Sequence, residues 1–178
     1  MSFKQYSVKK FEYSSLLFEL PEVLTDTIIS WGYDTISSDH VFYDPKDPTF
    51  GREYDTHITL IYGIHTGSIK EVLHFFRKEK AFKCILGKID IFKNERFDVL
   101  VINVECDKLH KLHDKIKKNI EVTETYPEYK PHVTICYLKK DSCDKFIGNA
   151  SFVDQEFILD TVIFSSKNGE KKSIKLGD

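Results

Sequence analysis

The segment Asp55-Thr56-His57-Ile58-Thr59-Leu60-Ile61-Tyr62 returns almost unchanged as Pro131-His132-Val133-Thr134-Ile135-Cys136-Tyr137. Each copy reads His-x-Thr inside a short run of β-branched and apolar residues, with a Tyr three positions after the Thr. Runs of this composition favour extended strands. Side chains alternate faces along a strand, so His57 stands with Thr59 and His132 with Thr134. Strict alternation turns Ile58, Leu60 and Tyr62 to the opposite, apolar face, and does the same for Val133, Ile135 and Tyr137. Each copy therefore buries one face and offers an imidazole and a hydroxyl on the other.

The two histidines lie 132 − 57 = 75 positions apart. The order strand, helix, motif strand occurs once in each half of the chain, which suggests two α+β lobes related by a pseudo-twofold axis. A chain of 178 residues suits one domain built from two such lobes, over about residues 13–80 and 81–178. The axis would set the two His-x-Thr faces against each other across a cleft.

Several elements can be placed in advance. Residues 13–20 read as a strand stopped by Pro21, and residues 23–31 as a helix ending near Gly32. Residues 37–53 form a long loop ahead of the first motif strand, a candidate substrate flap. A helix is expected over about 69–79, capped by Ser68. A hairpin follows over 82–104, then a helix of about a dozen residues capped by Asp107. Residues 139–149 read as loop or short helix, and 157–165 as a single strand that pairs with 171–176. Residues 1–12 read as an arm or a first edge strand.

Charge and cysteine content narrow the partners. With 26 basic and 28 acidic residues the net charge is −2, so no global positive field draws in long nucleic acid. A small charged ligand or a short stretch of nucleic acid in a local cleft fits better. The four cysteines show no CxxC spacing, the N-terminal ten residues are too polar for a signal peptide, and no apolar run nears membrane-spanning length. Free thiols in a reducing cytoplasm, no membrane association and a monomer are the resulting expectations.

Two imidazoles across a cleft are suited to moving two protons. An unperturbed histidine has a pKa of about 6.5, so one ring can be neutral and the other protonated near neutrality. The neutral ring takes a proton from an attacking hydroxyl or water, and the protonated ring gives one to the departing oxygen. The threonine hydroxyls, one pleat along, can donate to non-bridging phosphate oxygens. A phosphodiester needs this set of groups, and the arrangement calls for no metal or other cofactor. Asp55 shares the face of His57 and Cys136 that of His132, so Asp55 is the group that could complete a metal site instead.

With its paired His57-Ile58-Thr59-Leu60 and His132-Val133-Thr134-Ile135, the chain resembles the two-histidine (2H) phosphoesterase superfamily. That superfamily includes LigT-like RNA cyclic phosphodiesterases, 2′-5′-oligoadenylate-degrading enzymes, and phage enzymes that cleave cyclic-oligonucleotide immune signals. The resemblance implies an α+β, two-lobed LigT-like fold, with antiparallel sheets flanking a central cleft and helices outside. It implies His57, Thr59, His132 and Thr134 as the acid, base and phosphate-binding residues of a metal-independent phosphodiesterase. Candidate substrate-binding residues are Tyr13, Arg52, Tyr62, Lys130 and Tyr137, although alternation alone turns Tyr62 and Tyr137 towards the core. The substrate would be a 2′,3′-cyclic phosphate, a 2′-5′ linkage, a cyclic oligonucleotide or a short RNA. A non-cleaving nucleotide-binding module and a 2′-5′ end-joining activity are the competing readings. Pseudo-symmetry leaves open which histidine is acid and which is base.

Overall fold

The computed structural model describes residues 11–124 and 126–177. The expectation of an N-terminal arm or edge strand falls mostly outside the described residues. Among the described residues, eight strands form one antiparallel sheet: β1 (Ser14–Glu19), β2 (His57–Ile64), β3 (Phe82–Lys93), β4 (Asp98–Glu105), β5 (His132–Leu138), β6 (Glu156–Leu159), β7 (Thr161–Ser165) and β8 (Lys171–Lys175). The described residues also form three α-helices, α1 (Glu22–Thr35), α2 (Lys70–Phe76) and α3 (Asp107–Lys117). The strand order is β6-β3-β4-β5-β2-β1-β7-β8, so the two motif strands lie side by side at its centre. Four strands flank that seam on each side counting the motif strands themselves.

The seam is narrow. Ile58 opposite Val133 is the register pair that joins β2 to β5, after which the strands part. Loop segments take over each vacated edge. On β5, Val41 and Arg52 bridge Leu138 and Cys136, and the amide of Tyr137 donates to the Gly51 carbonyl at 2.8 Å. On β2, Val122 bridges Ile64, and the Thr123 amide donates to the Gly63 carbonyl at 2.9 Å. The expected flap over residues 37–53 is therefore pinned along β5 by backbone hydrogen bonds, and it carries a single 3₁₀ turn at Ser38–His40.

Helix α1 runs through Gly32 to Thr35, past the stop that the glycine suggested. The reason is tertiary. A Cβ on Gly32 would stand 3.0 Å from Cγ2 of Ile135, so the missing side chain lets the helix approach β5 closely. Leu24 and Ile28 of α1 join a core that also holds Phe18, Phe164, Leu100 and Ile102. Full burial of a side chain such as Phe18 or Phe164 stabilises by about 1.5–3 kcal/mol. Because Ile135 faces α1, its alternate neighbours His132 and Thr134 stand on the other face of the sheet.

The stretch expected as one strand over 157–165 is two. β6 pairs with β3 at one edge, and β7 pairs with β1 in the other half. The chain crosses between them at Asp160, whose carboxylate accepts from the Thr161 hydroxyl at 2.7 Å and from the Lys175 ammonium at 2.5 Å. Its carbonyl accepts the Leu176 amide. The β3–β4 hairpin and α3 form where the sequence places them, with Cys106 rather than Asp107 at the cap position of α3.

Candidate active site

The register at Ile58–Val133 fixes the relation of the two motifs. In an antiparallel pair it puts His57 beside Thr134 and Thr59 beside His132, all on the face opposite the buried Ile58 and Val133. Directly opposite residues stand about 4.5–5.5 Å apart and diagonal ones about 7–8 Å. The four motif side chains thus form a quadrilateral with the imidazoles on one diagonal and the hydroxyls on the other.

Both rings are held in the same way. Nδ1–H of His57 donates to the Asp55 carbonyl at 2.8 Å, and Nδ1–H of His132 donates to the Lys130 carbonyl at 2.7 Å. A carbonyl only accepts, so each Nδ1 carries the proton and each Nε2 is left for chemistry in the neutral ring. Phe92 meets the His132 ring edge-to-face at 4.8 Å. Burial pushes the His132 imidazole below its ordinary pKa. The Lys130 carbonyl opposes that shift, and the nearby His57 adds to it. Burial thus biases the His132 imidazole towards its neutral form.

Alternation fails after the His-x-Thr in both strands. A β-bulge at Leu60–Ile61 shifts the β1–β2 register, and a matching one shifts β4–β5 between Leu100 and Val101. Each bulge buries two consecutive residues, Leu60 with Ile61 and Ile135 with Cys136. Tyr62 and Tyr137 are thereby carried to the face of the histidines, contrary to strict alternation, and Cys136 is carried into the core. The extra residue resets the period-2 pattern. Tyr62 is 43% exposed and packs edge-to-face on Tyr13 at 5.9 Å. Tyr137 packs on Phe50 and Phe97.

A cleft of about 690 Å³ opens beside the first motif, lined among others by His57, Tyr54, Asp55, Arg52, Tyr137 and Lys171. The pinned 37–53 loop supplies much of its wall through Tyr43, Pro48 and Phe50. Arg52 lines the cleft, while its guanidinium donates to the Gly32 and Ile36 carbonyls at the end of α1 and lies 4.5 Å from the Tyr33 ring centre. Lys130 offers the motif its carbonyl; its ammonium pairs with Glu128 at 3.5 Å. Asp55 faces the Lys171 ammonium at 3.4 Å. Tyr13 lies at the far side of β2, between Tyr62 and His65. His65 lines a separate groove with Thr66, Glu71, Asn119 and Glu121, which holds no motif residue.

Three carboxylates that could hold a cation, Asp98, Asp141 and Asp144, gather at the other end of β5, where Asp98 stands opposite Leu138. The Lys93 ammonium already sits among them, 2.8 Å from Asp141 and 3.1 Å from Asp98. At about 3.3 Å per residue this cluster is roughly 20 Å from His132. The i, i+3 pair His110 and His113 frames Tyr129, with His113 stacked parallel on its ring at 4.2 Å.

Tyr129 itself is a residue the sequence reading missed. Its hydroxyl donates to the Thr59 carbonyl at 3.0 Å, tying the approach of the second motif to the first motif strand. The signal was present: Tyr54 and Tyr129 each precede a motif histidine by three positions, extending both copies to Tyr-x-x-His-x-Thr-x-x-Tyr.

The profile of the family described as "Anti-CBASS protein Acb1" matches residues 52–172, which span both motifs and the strands between them. The chain belongs to the Acb1 family. No match is found among the curated proteins. Among solved structures, E. coli LigT complexed with 3′-AMP superposes with a TM-score of 0.62 at 18% identity, covering 94% of this chain and 99% of that one. TT0787 of Thermus thermophilus gives 0.61 at 14%, over 92% and 94%. A further structure described as a phosphoesterase gives 0.63 at 16%, over 94% and 100%. The Acb1-family chain thus has the LigT-like 2H phosphoesterase fold, α+β with a curled antiparallel sheet. No described helix is long and apolar enough to cross a membrane.

If the motif hydroxyls hold phosphate, Thr59→Val and Thr134→Val should each lower turnover while leaving the imidazoles in place. A lost hydrogen bond to a charged group costs about 1.5–3 kcal/mol, or roughly ten- to a hundredfold in rate. Steady-state kinetics on the two variants measure it; unchanged kcat/KM in both would make the hydroxyls purely structural.

Proposed function

We propose that this Acb1-family chain is a metal-independent phosphodiesterase that opens cyclic oligonucleotides. The observation that carries the reading is the pair of imidazoles on neighbouring strands, each with Nδ1 locked on a carbonyl two residues back and Nε2 left free. The match to the family described as anti-CBASS protein Acb1 supports the substrate class, and the LigT-like fold supports a phosphoesterase-type activity.

In this mechanism His132, kept neutral by burial, removes the proton from a ribose 2′-hydroxyl beside the scissile phosphate. The alkoxide attacks phosphorus in line. His57, protonated, gives its Nε2 proton to the departing 5′-oxygen. Thr59 and Thr134 donate to the non-bridging oxygens, where charge accumulates. The product is a linear oligonucleotide with a 2′,3′-cyclic phosphate and a free 5′-hydroxyl. Because the nucleophile belongs to the substrate, the protein need only position it and move two protons. Tyr54, Tyr62 and Tyr137 stand on the motif face or in the cleft wall, where a base can stack, worth about 1–3 kcal/mol each.

The test incubates the full chain with cyclic di- and trinucleotides, 2′-5′-linked oligonucleotides and 2′,3′-cyclic mononucleotides, and resolves products by mass spectrometry. Ring opening of a cyclic oligonucleotide supports the proposal; recovery of every cyclic substrate intact overturns it. Activity should persist in excess EDTA and follow a bell-shaped pH profile. The acid limb should lie below about 6.5, since the lowered pKa of His132 keeps the base neutral further into acid. The same shift has a consequence for stability. Between the folded and unfolded pKa values of His132 the unfolded chain binds more protons, so stability falls as pH drops through that window. Loss of activity on chelation, restored by zinc or manganese, would replace the proton-shuttle mechanism with a metal one.

A further inference from the structure

The β3–β4 register runs Leu86 opposite Val104 and Ile85 opposite Glu105, and its next step sets Cys84 opposite Cys106. Directly opposed antiparallel residues have Cα atoms about 4.5–5.5 Å apart, inside the span a disulfide bridges. The Cys106 S–H donates to the carbonyl of Lys83, the residue next to Cys84, at 3.6 Å. Cys106 is the residue from which α3 starts, and the Leu109 amide donates to its carbonyl at 3.1 Å. The two thiols differ in access: Cys84 is 1% exposed, whereas Cys106 is partly open to solvent.

We propose that Cys106 and Cys84 form a thiol modification site, at which hydrogen peroxide oxidises Cys106 and Cys84 resolves the product as an intramolecular disulfide. The Cys106 thiolate attacks one peroxide oxygen. The O–O bond breaks, hydroxide leaves and takes up a proton, and Cys106 becomes a sulfenic acid. The Cys84 sulfur then attacks the Cys106 sulfur. The S–O bond breaks, the S–S bond forms, and the hydroxyl departs with the Cys84 proton as water. Two thiols and one hydrogen peroxide give one disulfide and two waters.

The division of roles follows from the surroundings. The neighbouring Cys84 thiol draws the Cys106 thiol down to about 6 against the cost of its partial burial. The Cys106 neighbour and burial together push the Cys84 thiol up. Attack therefore begins at the accessible, ionised sulfur and ends at the buried, protonated one. The molecule contains its own comparison. Cys136 and Cys143 are near each other but both buried, and burial pushes the Cys136 thiol up to about 12.

The experiment exposes the folded, full-length protein to dilute hydrogen peroxide, alkylates the remaining thiols after unfolding, and maps the tryptic peptides. The expected result is a protein lighter by two hydrogens with its cross-link between Cys84 and Cys106, while Cys136 and Cys143 are recovered alkylated. Cys106→Ser should abolish the cross-link. Cys84→Ser should halt at the sulfenic acid, which dimedone traps on Cys106. A third measurement uses the unaltered chain: limiting iodoacetamide on the folded protein should label Cys106 first. A cross-link involving Cys136 or Cys143, first labelling at either of them, or no oxidation of Cys106 would each overturn the proposal.

Discussion

His132→Ala and His57→Ala are each expected to lower turnover about 10²–10⁴-fold on any substrate the protein cleaves, with the fold retained. Both rings lie at the seam of the sheet, each bound to its own backbone through one hydrogen bond, so truncation removes no core contact of the Ile58–Val133 pair. The double variant should be little worse than either single one, because two groups that serve one proton-transfer sequence fail together. The acid limb should also separate them. The inflection due to His132 disappears in His132→Ala and persists in His57→Ala. Single-turnover kinetics against pH, with circular dichroism to verify folding, decide the matter. Near-full activity in either single variant would sink the paired acid–base assignment.

The second large effect is on stability. Gly63→Ala is expected to destabilise severely, because Gly63 has φ of +89° and a Cβ there would stand 2.0 Å from the Thr123 carbonyl oxygen. Positive φ alone costs about 1–3 kcal/mol in a residue with a side chain. The clash adds to it, since Thr123 is held by its own amide donating to the Gly63 carbonyl. Gly148 supplies the control, with φ of +83° and no atom within 4 Å of the added Cβ. Gly148→Ala bears the backbone strain without the clash. In a chain of this size each 1 kcal/mol lowers Tm by about 2–4 °C. Thermal melts should therefore show a drop several degrees larger for Gly63→Ala. Equal drops would mean that the 121–124 segment yields freely and does not hold β2.

The sequence alone determined the parts that depend on local pattern. Two His-x-Thr runs framed by Ile, Val and Leu are legible as strands, since β-branched residues and period-2 burial are local properties. The β3–β4 hairpin, α3 and the α+β class were legible for the same reason, and the motifs were enough to indicate the 2H phosphoesterase fold. The Tyr at the third position before each histidine is legible too, as a repeat that begins outside the apolar run of each strand.

Tertiary structure decided what depends on partners distant in sequence. Strict alternation assigned Tyr62 and Tyr137 to the core, yet the bulge that turns each one to the motif face arises from pairing with β1 and β4 and leaves no mark in the motif itself. Gly32 looked like a helix stop because glycine has low helix propensity; contact with Ile135 overrides that by requiring a position without a side chain. The apparent single strand at 157–165 divides because its ends pair with β3 and β1, in opposite halves of the sheet. The symmetry between the histidines is broken in the same way. On paper they are equivalent, but the Phe92 ring meets His132 edge-to-face and the burial around that imidazole lowers its pKa. Burial is a sum over neighbours that only the folded chain brings together.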